Sequence, residues 1–242
     1  MAISCRNCPL RQKPLFLKFS DDDVRFMQRF KVGELTIEAG TPILMQGSNS
    51  PQLFTALRGM GLRSKSLEDG RRQVINFVFP GDFIGLQAAV MGEMQHAVTA
   101  ASDMTLCVFD RSEFWSFFKA HPERAFDITW LAAIEEHFLG ETLTTVGQRS
   151  AIEAVAWALV RMFIRCEATG LVRNRAMPMP FKQQDLADAL GLSLVHTNKT
   201  LGKLRERQLA NWGDGQLSIQ DVSKLQAFAN MEIEEMAQRP LL

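Results

Sequence analysis

Two cysteines stand close together near the start of the chain, at Cys5 and Cys8. Thiolates at this spacing can ligate a metal or form a redox pair, and the same pattern also suits two thiols without a function. The chain has only two further cysteines, Cys107 and Cys166. Which chemistry applies therefore depends on the fold that positions these thiols.

The composition is that of a soluble globular protein, with 242 residues, 46% hydrophobic and 22% charged. No apolar run approaches the ~20 residues of a membrane span, and the polar start lacks the apolar core of a secretory signal. We therefore expect a cytoplasmic protein with reduced thiols and no membrane partner. The formal net charge is zero, which neither indicates nor excludes a nucleic-acid partner.

The first part of the chain is predicted to be a β-barrel. Glycines recur every several residues between Gly33 and Gly92, with short β-like runs between them. This pattern predicts a β-sandwich or barrel at residues 31–120, with a hairpin turn at Asp69-Gly70. Residues 1–30 are predicted to be a loop followed by a short helix that Ser20 caps.

From Arg111 the pattern becomes helical, and residues 121–147 are predicted to form one long helix. Its apolar residues recur at a period of about 3.5 to 3.6, which is typical of coiled coils. The alternative is a helix packed on its own barrel, but the stripe continues beyond what one short domain can cover. We therefore predict a homodimer. The residues assigned to dimer contact are Trp130, Ile134, Phe138 and Leu139.

Residues 148–242 are predicted to form a second domain with a helix–turn–helix and a wing. A short helix, "QQDLADAL", is followed by Gly191 and a second helix that Ser193 caps, and an Asp-Gly turn then joins two short strands. This shape places its second helix in the major groove of double-stranded DNA, although a generic helical hairpin is the alternative. The predicted DNA contacts are Lys182, Gln183, Ser193, Val195, His196, Thr197, Asn198, Lys199, Lys203 and Arg205.

The predicted contacts have separate roles. Asn198 and Lys199 suit adenine and guanine edges respectively, and Lys182 and Gln183 suit phosphates that fix the register. Val195 has two interpretations: it can touch a thymine methyl group, or it can help to bury one side of the helix pair.

These features together resemble the Crp–Fnr family of bacterial transcription regulators, in its Fnr-like branch. The resemblance covers nearly the whole chain and rests on "PGDFIGL" in the barrel, "GQRSAIEAVAWAL" after the long helix, and "DLADALGLSLVHTNKTLGKLRER". It implies an α+β fold with an N-terminal jelly-roll (cyclic-nucleotide-binding-like) β-barrel, a long dimerisation helix and a C-terminal winged helix-turn-helix. It also implies a homodimer that binds a palindromic operator in response to an effector or redox signal. Members contact RNA polymerase, mostly as activators.

The resemblance implies which residues read DNA and which hold an effector. Where many members read DNA with a Glu and an Arg, this chain has Val195 and Lys199, so the usual half-sites are in doubt. Cyclic-nucleotide members hold the ligand with a Glu and an Arg-Ser pair, and here these positions are Leu86 and His96-Ala97. A leucine cannot accept a ribose hydroxyl and a neutral histidine binds phosphate poorly. Cyclic AMP is therefore disfavoured.

Iron–sulfur members of the family use four cysteines. Cys5, Cys8 and Cys107 match the first, second and fourth of these cysteines. The third falls at a position that is Pro14 or Phe16 in this chain. The cofactor is therefore left open. The readings are a cluster completed by a non-cysteine ligand, a thiol switch favoured by nearby arginines, or a relic motif.

Two other classes of function fit the sequence less well. Cupin-like metal enzymes need several histidines inside the barrel, and of four histidines only His96 lies there. No Ser-His-Asp or Cys-His arrangement is visible either, so we expect no enzyme. A protein-binding module that has lost DNA binding need not keep Lys199, Lys203 and Arg205 on one helix. Cys166 is expected to be a core residue.

Overall fold

The computed structural model describes residues 2–232 and 237–242. In those ranges, two short 3-10 helices (Cys5–Asn7 and Pro9–Gln12) precede helix α1 (Asp21–Phe30), which begins with a capping box between Ser20 and Asp23 as predicted. Residues 31–120 are called the sensor barrel, because the family resemblance implies that this domain receives the signal, and the strands of this predicted β-barrel follow. They are β1 (Lys31–Ile37), β2 (Pro42–Leu44), β3 (Gln52–Arg58), β4 (Gly61–Ser66), β5 (Arg72–Val78), β6 (Phe83–Ile84), β7 (Ala97–Ala100) and β8 (Met104–Asp110).

The eight strands form two four-stranded antiparallel sheets, in the orders β1-β8-β3-β6 and β2-β7-β4-β5. Apolar side chains from both sheets share one core, which includes Phe54, Val98 and Leu106. The predicted jelly roll is confirmed, and so is the Asp69-Gly70 turn between β4 and β5, where Gly70 has a φ of +84°. A short helix, α2 (Leu86–Met91), follows β6 and was not predicted.

Helices connect the barrel to the second half of the chain. They are α3 (Phe114–Ala120), α4 (Pro122–Gln148) and α5 (Ala151–Ala168). The long helix α4 agrees with the predicted span of 121–147, and Pro122 lies in its first turn, where a missing N–H costs nothing. None of the helices in the described ranges combines the length and apolarity needed to cross a bilayer.

The second half contains the helix–turn–helix and a small sheet. Its elements are β9 (Ala176–Pro178), α6 (Gln183–Leu190), α7 (Leu194–Glu206), β10 (Asn211–Gly213), β11 (Gln216–Ser218) and α8 (Val222–Phe228). The sheet is antiparallel with the order β10-β11-β9, and β9 was not predicted. The wing strands β10 and β11 are joined by the predicted Asp-Gly turn at Asp214 and Gly215, both with positive φ.

The two halves share one apolar core. Phe77 of β5 meets Phe181 edge to face, with ring centroids 4.6 Å apart, and β4 and β5 residues join a cluster with α5 and α6. Cys166 is completely buried in this cluster. Burial raises the pKa of its thiol to about 12, so Cys166 is a core residue, as expected.

The four residues assigned to dimer contact do not share one exposed stripe. Phe138 stacks on Trp157 of its own chain, with centroids 6.0 Å apart. Trp130 and Ile134 are half-buried against their own chain, while Leu139 is exposed. Trp130, Ile134 and Phe138 therefore also pack within their own chain, and their part in dimer contact stays a prediction. The exposed apolar stripe of α4 lies beside them, at Ala132, Leu139, Leu143 and Val146.

Candidate DNA interface and cysteine cluster

The turn between α6 and α7 is formed as predicted, with Gly191 at the end of α6 and Ser193 as the cap of α7. Gly191 ends α6 with a φ of +66°, which a residue with a side chain rarely adopts. Ser193 caps α7, because its hydroxyl accepts a hydrogen bond from the His196 amide at 3.2 Å. These two residues fix where α7 begins, and with it which side chains stand at its N-terminal end.

One side of α7 is buried against the rest of its domain. Leu204 is fully buried, and so are Thr197 and Thr200. The two threonine hydroxyls donate to main-chain carbonyls one turn earlier, at Ser193 (3.1 Å) and His196 (2.8 Å). Thr197 therefore supports the helix from inside, and its prediction as a DNA contact is corrected.

The opposite side of α7 is exposed. Val195 is 78% exposed, so the prediction that it buries one side of the helix pair is wrong, and its side chain is available to a partner. The other exposed residues of the predicted contact set are Ser193, His196, Asn198, Lys199, Lys203 and Arg205. This face carries a net positive charge, as a surface that meets phosphates requires.

Lys182 and Gln183 lie at the start of α6. The Lys182 amide donates to the Asp185 carboxylate at 2.8 Å, so the main chain here is fixed while the Lys182 side chain is exposed. Gln183 is half-buried. The start of α6 can thus present one cation and one amide side chain to a DNA backbone.

Comparisons with known proteins agree with this geometry. Residues 34–121 match the model of the cyclic nucleotide-binding domain, and residues 153–228 match that of the Crp-like helix-turn-helix domain. The nitrogen fixation regulation protein FixK of Bradyrhizobium diazoefficiens is 26% identical over 93% of both chains. The transcriptional activatory protein AadR of Rhodopseudomonas palustris is 31% identical over 73% of both chains. The chain belongs to the Crp–Fnr family.

A solved structure has the same fold. FixK2 from Bradyrhizobium japonicum superposes with a TM-score of 0.73 at 24% identity, over 84% of this chain and 98% of that one. As a Crp–Fnr protein, the chain is a DNA-binding transcription regulator rather than an enzyme.

The three cysteines that match the Fnr-like ligand pattern converge. Cys5, Cys8 and Cys107 line one cavity of about 30 Å³ between the N-terminal segment and β8. Burial raises the pKa of the Cys5 thiol. Burial raises that of Cys107 to about 11, although the Lys31 ammonium partly opposes the shift. Burial therefore favours the protonated thiols at Cys5 and Cys107, and any metal bound there would have to displace those protons.

This cluster does not fit an iron–sulfur cofactor in the arrangement observed. The cavity is small, at about 30 Å³, and its wall is mostly apolar, with Leu10, Leu57, Leu241 and Leu242 among the lining residues. No group of three or more His, Cys, Asp or Glu side chains within residues 2–232 and 237–242 is arranged to hold a metal ion. Neither Pro14 nor Phe16 supplies a ligand atom from its side chain.

The barrel also forms a larger cavity of about 560 Å³ against α4. Leu86 and His96, which occupy two cyclic-nucleotide-binding positions, both line it. Burial lowers the pKa of His96 to about 4, and the charges of Arg63 and Lys65 add to the shift. A neutral imidazole beside a leucine lacks the groups that hold a ribose phosphate, which supports the expectation that cyclic AMP is disfavoured.

Proposed function

We propose that the chain binds a palindromic operator as a homodimer, with the exposed face of α7 in the major groove of each half-site. The observation that carries this proposal is the two-sided character of α7. Its buried side anchors the helix through Leu204, while its exposed side presents Val195, Asn198 and Lys199. Within residues 2–232 and 237–242, the rest of the chain leaves that side open to solvent.

Each side chain has a role that follows from its chemistry. Lys199 donates to guanine, Asn198 pairs with adenine and Val195 meets a thymine methyl group. His196 contacts a base edge or a phosphate. Lys203, Arg205 and the start of α6 contact phosphates and hold the register.

Dimerisation uses the exposed stripe of α4. Leu143 is 75% exposed, and it follows Leu139 at the spacing of a coiled-coil seam. The flanking glycines at 140 and 147 have open space around them, which allows two helices to approach closely. In a symmetric dimer the two recognition helices lie about one DNA turn apart, roughly 34 Å.

Selection from a random pool of DNA duplexes tests the proposal. Enrichment of an inverted repeat supports it, and a pool that stays random refutes it. Activation through contact with RNA polymerase and a cytoplasmic location are parts of the same proposal. Two relatives are named as transcriptional activators, which supports activation rather than repression.

A second proposal concerns the signal to which the regulator responds. The small cysteine cavity favours a regulator that uses its thiols directly, or one that acts without an effector and keeps Cys5 and Cys8 as a relic. Operator binding before and after oxidant, compared between the natural chain and Cys5→Ser, separates these two readings.

A further inference from the structure

Residues 237–242 follow the DNA-binding domain in sequence but lie against the sensor barrel and the N-terminal segment. The Arg239 amide donates to the Leu15 carbonyl at 2.8 Å, and the Leu17 amide donates to the Arg239 carbonyl at 2.9 Å. Phe16 and Arg239 thus form a parallel β-bridge. The segment is thus held by main-chain hydrogen bonds to residues 15–17, the kind of contact by which extended peptides are often recognised.

Asp82 makes this docking selective for an arginine. It lies in the buried "PGD" turn, and its carboxylate contacts Arg239 Nη1 at 3.0 Å and Arg165 Nη2 of α5 at 2.6 Å. Its second oxygen accepts from the Phe79 amide at 2.8 Å. Burial raises the pKa of Asp82, but the nearby guanidinium groups outweigh this effect and lower it to about 2. One ionised carboxylate therefore joins the barrel, α5 and the segment.

The turn also shapes the place where the segment docks. Gly81 has a φ of +90°, and a Cβ there would stand 2.1 Å from the Phe16 ring. Only glycine lets the Phe16 ring lie against the turn, and Phe16 is the residue that bridges to Arg239. The docking groove is therefore built from two distant parts of the sensor.

The end of the segment covers the cysteines. Leu241 and Leu242 are buried and line the same cavity as Cys5, Cys8 and Cys107. The hydroxyl of Thr55, which pairs with Cys107 across β3 and β8, donates to the Leu242 carbonyl. A group attached to Cys107 and the docked leucines would compete for one space.

We infer that residues 237–242 are an internal docking peptide that seals the three-cysteine cavity and ties the DNA-binding domain to the sensor. Because the docked leucines and a group on Cys107 would occupy the same space, modification of Cys107 disfavours docking, and undocking exposes Cys107 to modification. A chemical change at the cysteines thus releases a segment that is continuous with the DNA-binding domain. The inference does not depend on the operator or on dimerisation.

The test measures how fast iodoacetamide alkylates each cysteine of the full chain, by mass spectrometry of the peptides. Alkylation joins the thiol sulfur to the reagent carbon and releases iodide. Arg239→Gln and the double variant Leu241→Asp/Leu242→Asp are expected to speed Cys107 alkylation by about tenfold or more, as local opening does. Arg239→Lys keeps the charge and should show a smaller increase. Cys166 is the internal control, since it is buried in the core around α5 and does not line the cysteine cavity.

An unchanged Cys107 rate in both variants would overturn the inference. So would an equal rise at Cys107 and Cys166, because the segment would then contribute only to global stability. A second measurement needs no substitution. After N-ethylmaleimide treatment of the natural chain, hydrogen exchange should show lost protection of the Leu17 and Arg239 amides and retained protection of α8. Unchanged protection of both amides on a chain modified at Cys107 would also overturn the inference.

Discussion

Arg72 of the sensor strand β5 donates a hydrogen bond from Nη2 to the carboxylate of Asp185 in α6, at 2.6 Å. The same guanidinium contacts Asp188 at 2.6 and 2.9 Å. Asp185 also accepts from the Lys182 amide at the start of α6. One carboxylate therefore caps the first helix of the DNA-reading motif and binds it to the sensor.

Replacing Arg72 should weaken this connection. In Arg72→Ala, the Asp185 carboxylate, whose side chain is only 8% exposed, loses its guanidinium partner. We therefore expect a loss of about 1 kcal/mol in the free energy of unfolding. Urea unfolding measures it. Arg71→Ala is the matched control, because Arg71 pairs with Asp69 on the exposed hairpin turn. Equal effects of both substitutions would show that the bridge contributes nothing.

Lys199→Ala and Asn198→Ala should each weaken specific operator binding by about 10- to 100-fold, the usual range for one lost base contact. Neither side chain is needed for packing, since both are exposed, so the dimer and the unfolding midpoint should stay unchanged. Fluorescence anisotropy with the selected operator measures affinity. Lys224→Ala, an exposed lysine on α8, should bind normally. Normal binding by both recognition-helix variants would refute the proposed readout.

Leu143→Asp should convert the dimer to a monomer. The substitution places a carboxylate in the apolar stripe of α4, where two copies would bring the charges together. Sedimentation velocity measures the change. Phe126→Asp is the control, because Phe126 is 69% exposed but stands roughly a third of a turn from the stripe at about 3.6 residues per turn. A Leu143→Asp chain that still sediments as a dimer would contradict the proposed interface.

His96 should make the protein less stable in mild acid. Its pKa in the folded chain, about 4, is below the ordinary value of 6.5, so the unfolded chain binds the proton more readily. Stability from this group is complete above pH 6.5 and is lost as the pH falls to about 4, by roughly 3 kcal/mol. His96→Gln should flatten this loss in urea unfolding across that window. Asp82 acts at lower pH, because its pKa falls from 3.8 to about 2. Identical pH slopes for both chains would contradict the assignment.

Local signals made much of the fold predictable. Glycine turns and alternating strands indicated the barrel, and the Ser193 cap with Gly191 located the helix–turn–helix. The burial of Thr197 could also have been predicted from the sequence. At a helical period of about 3.6, Thr197, Thr200 and Leu204 share one side, and a threonine hydroxyl can satisfy itself on the preceding turn.

Other features depend on long-range packing and left no local pattern. Strand β9 has three residues and exists because β11 pairs with it. Phe138 belongs to the predicted apolar stripe of α4. Part of that stripe packs on α5 of the same chain, and another part is exposed. The docking of Arg239 on Leu15 and Asp82 joins residues that are far apart in sequence, and no short-range motif records it.

We propose above all that the exposed face of α7 reads a palindromic DNA sequence. The most direct measurement is selection of bound duplexes from a random pool by the natural chain, with Lys199→Ala selected in parallel. We expect an inverted repeat with half-site centres about ten base pairs apart, and a relaxed preference at one position of each half-site for the variant. A pool that stays random, or the same motif with undiminished enrichment for both chains, would contradict it.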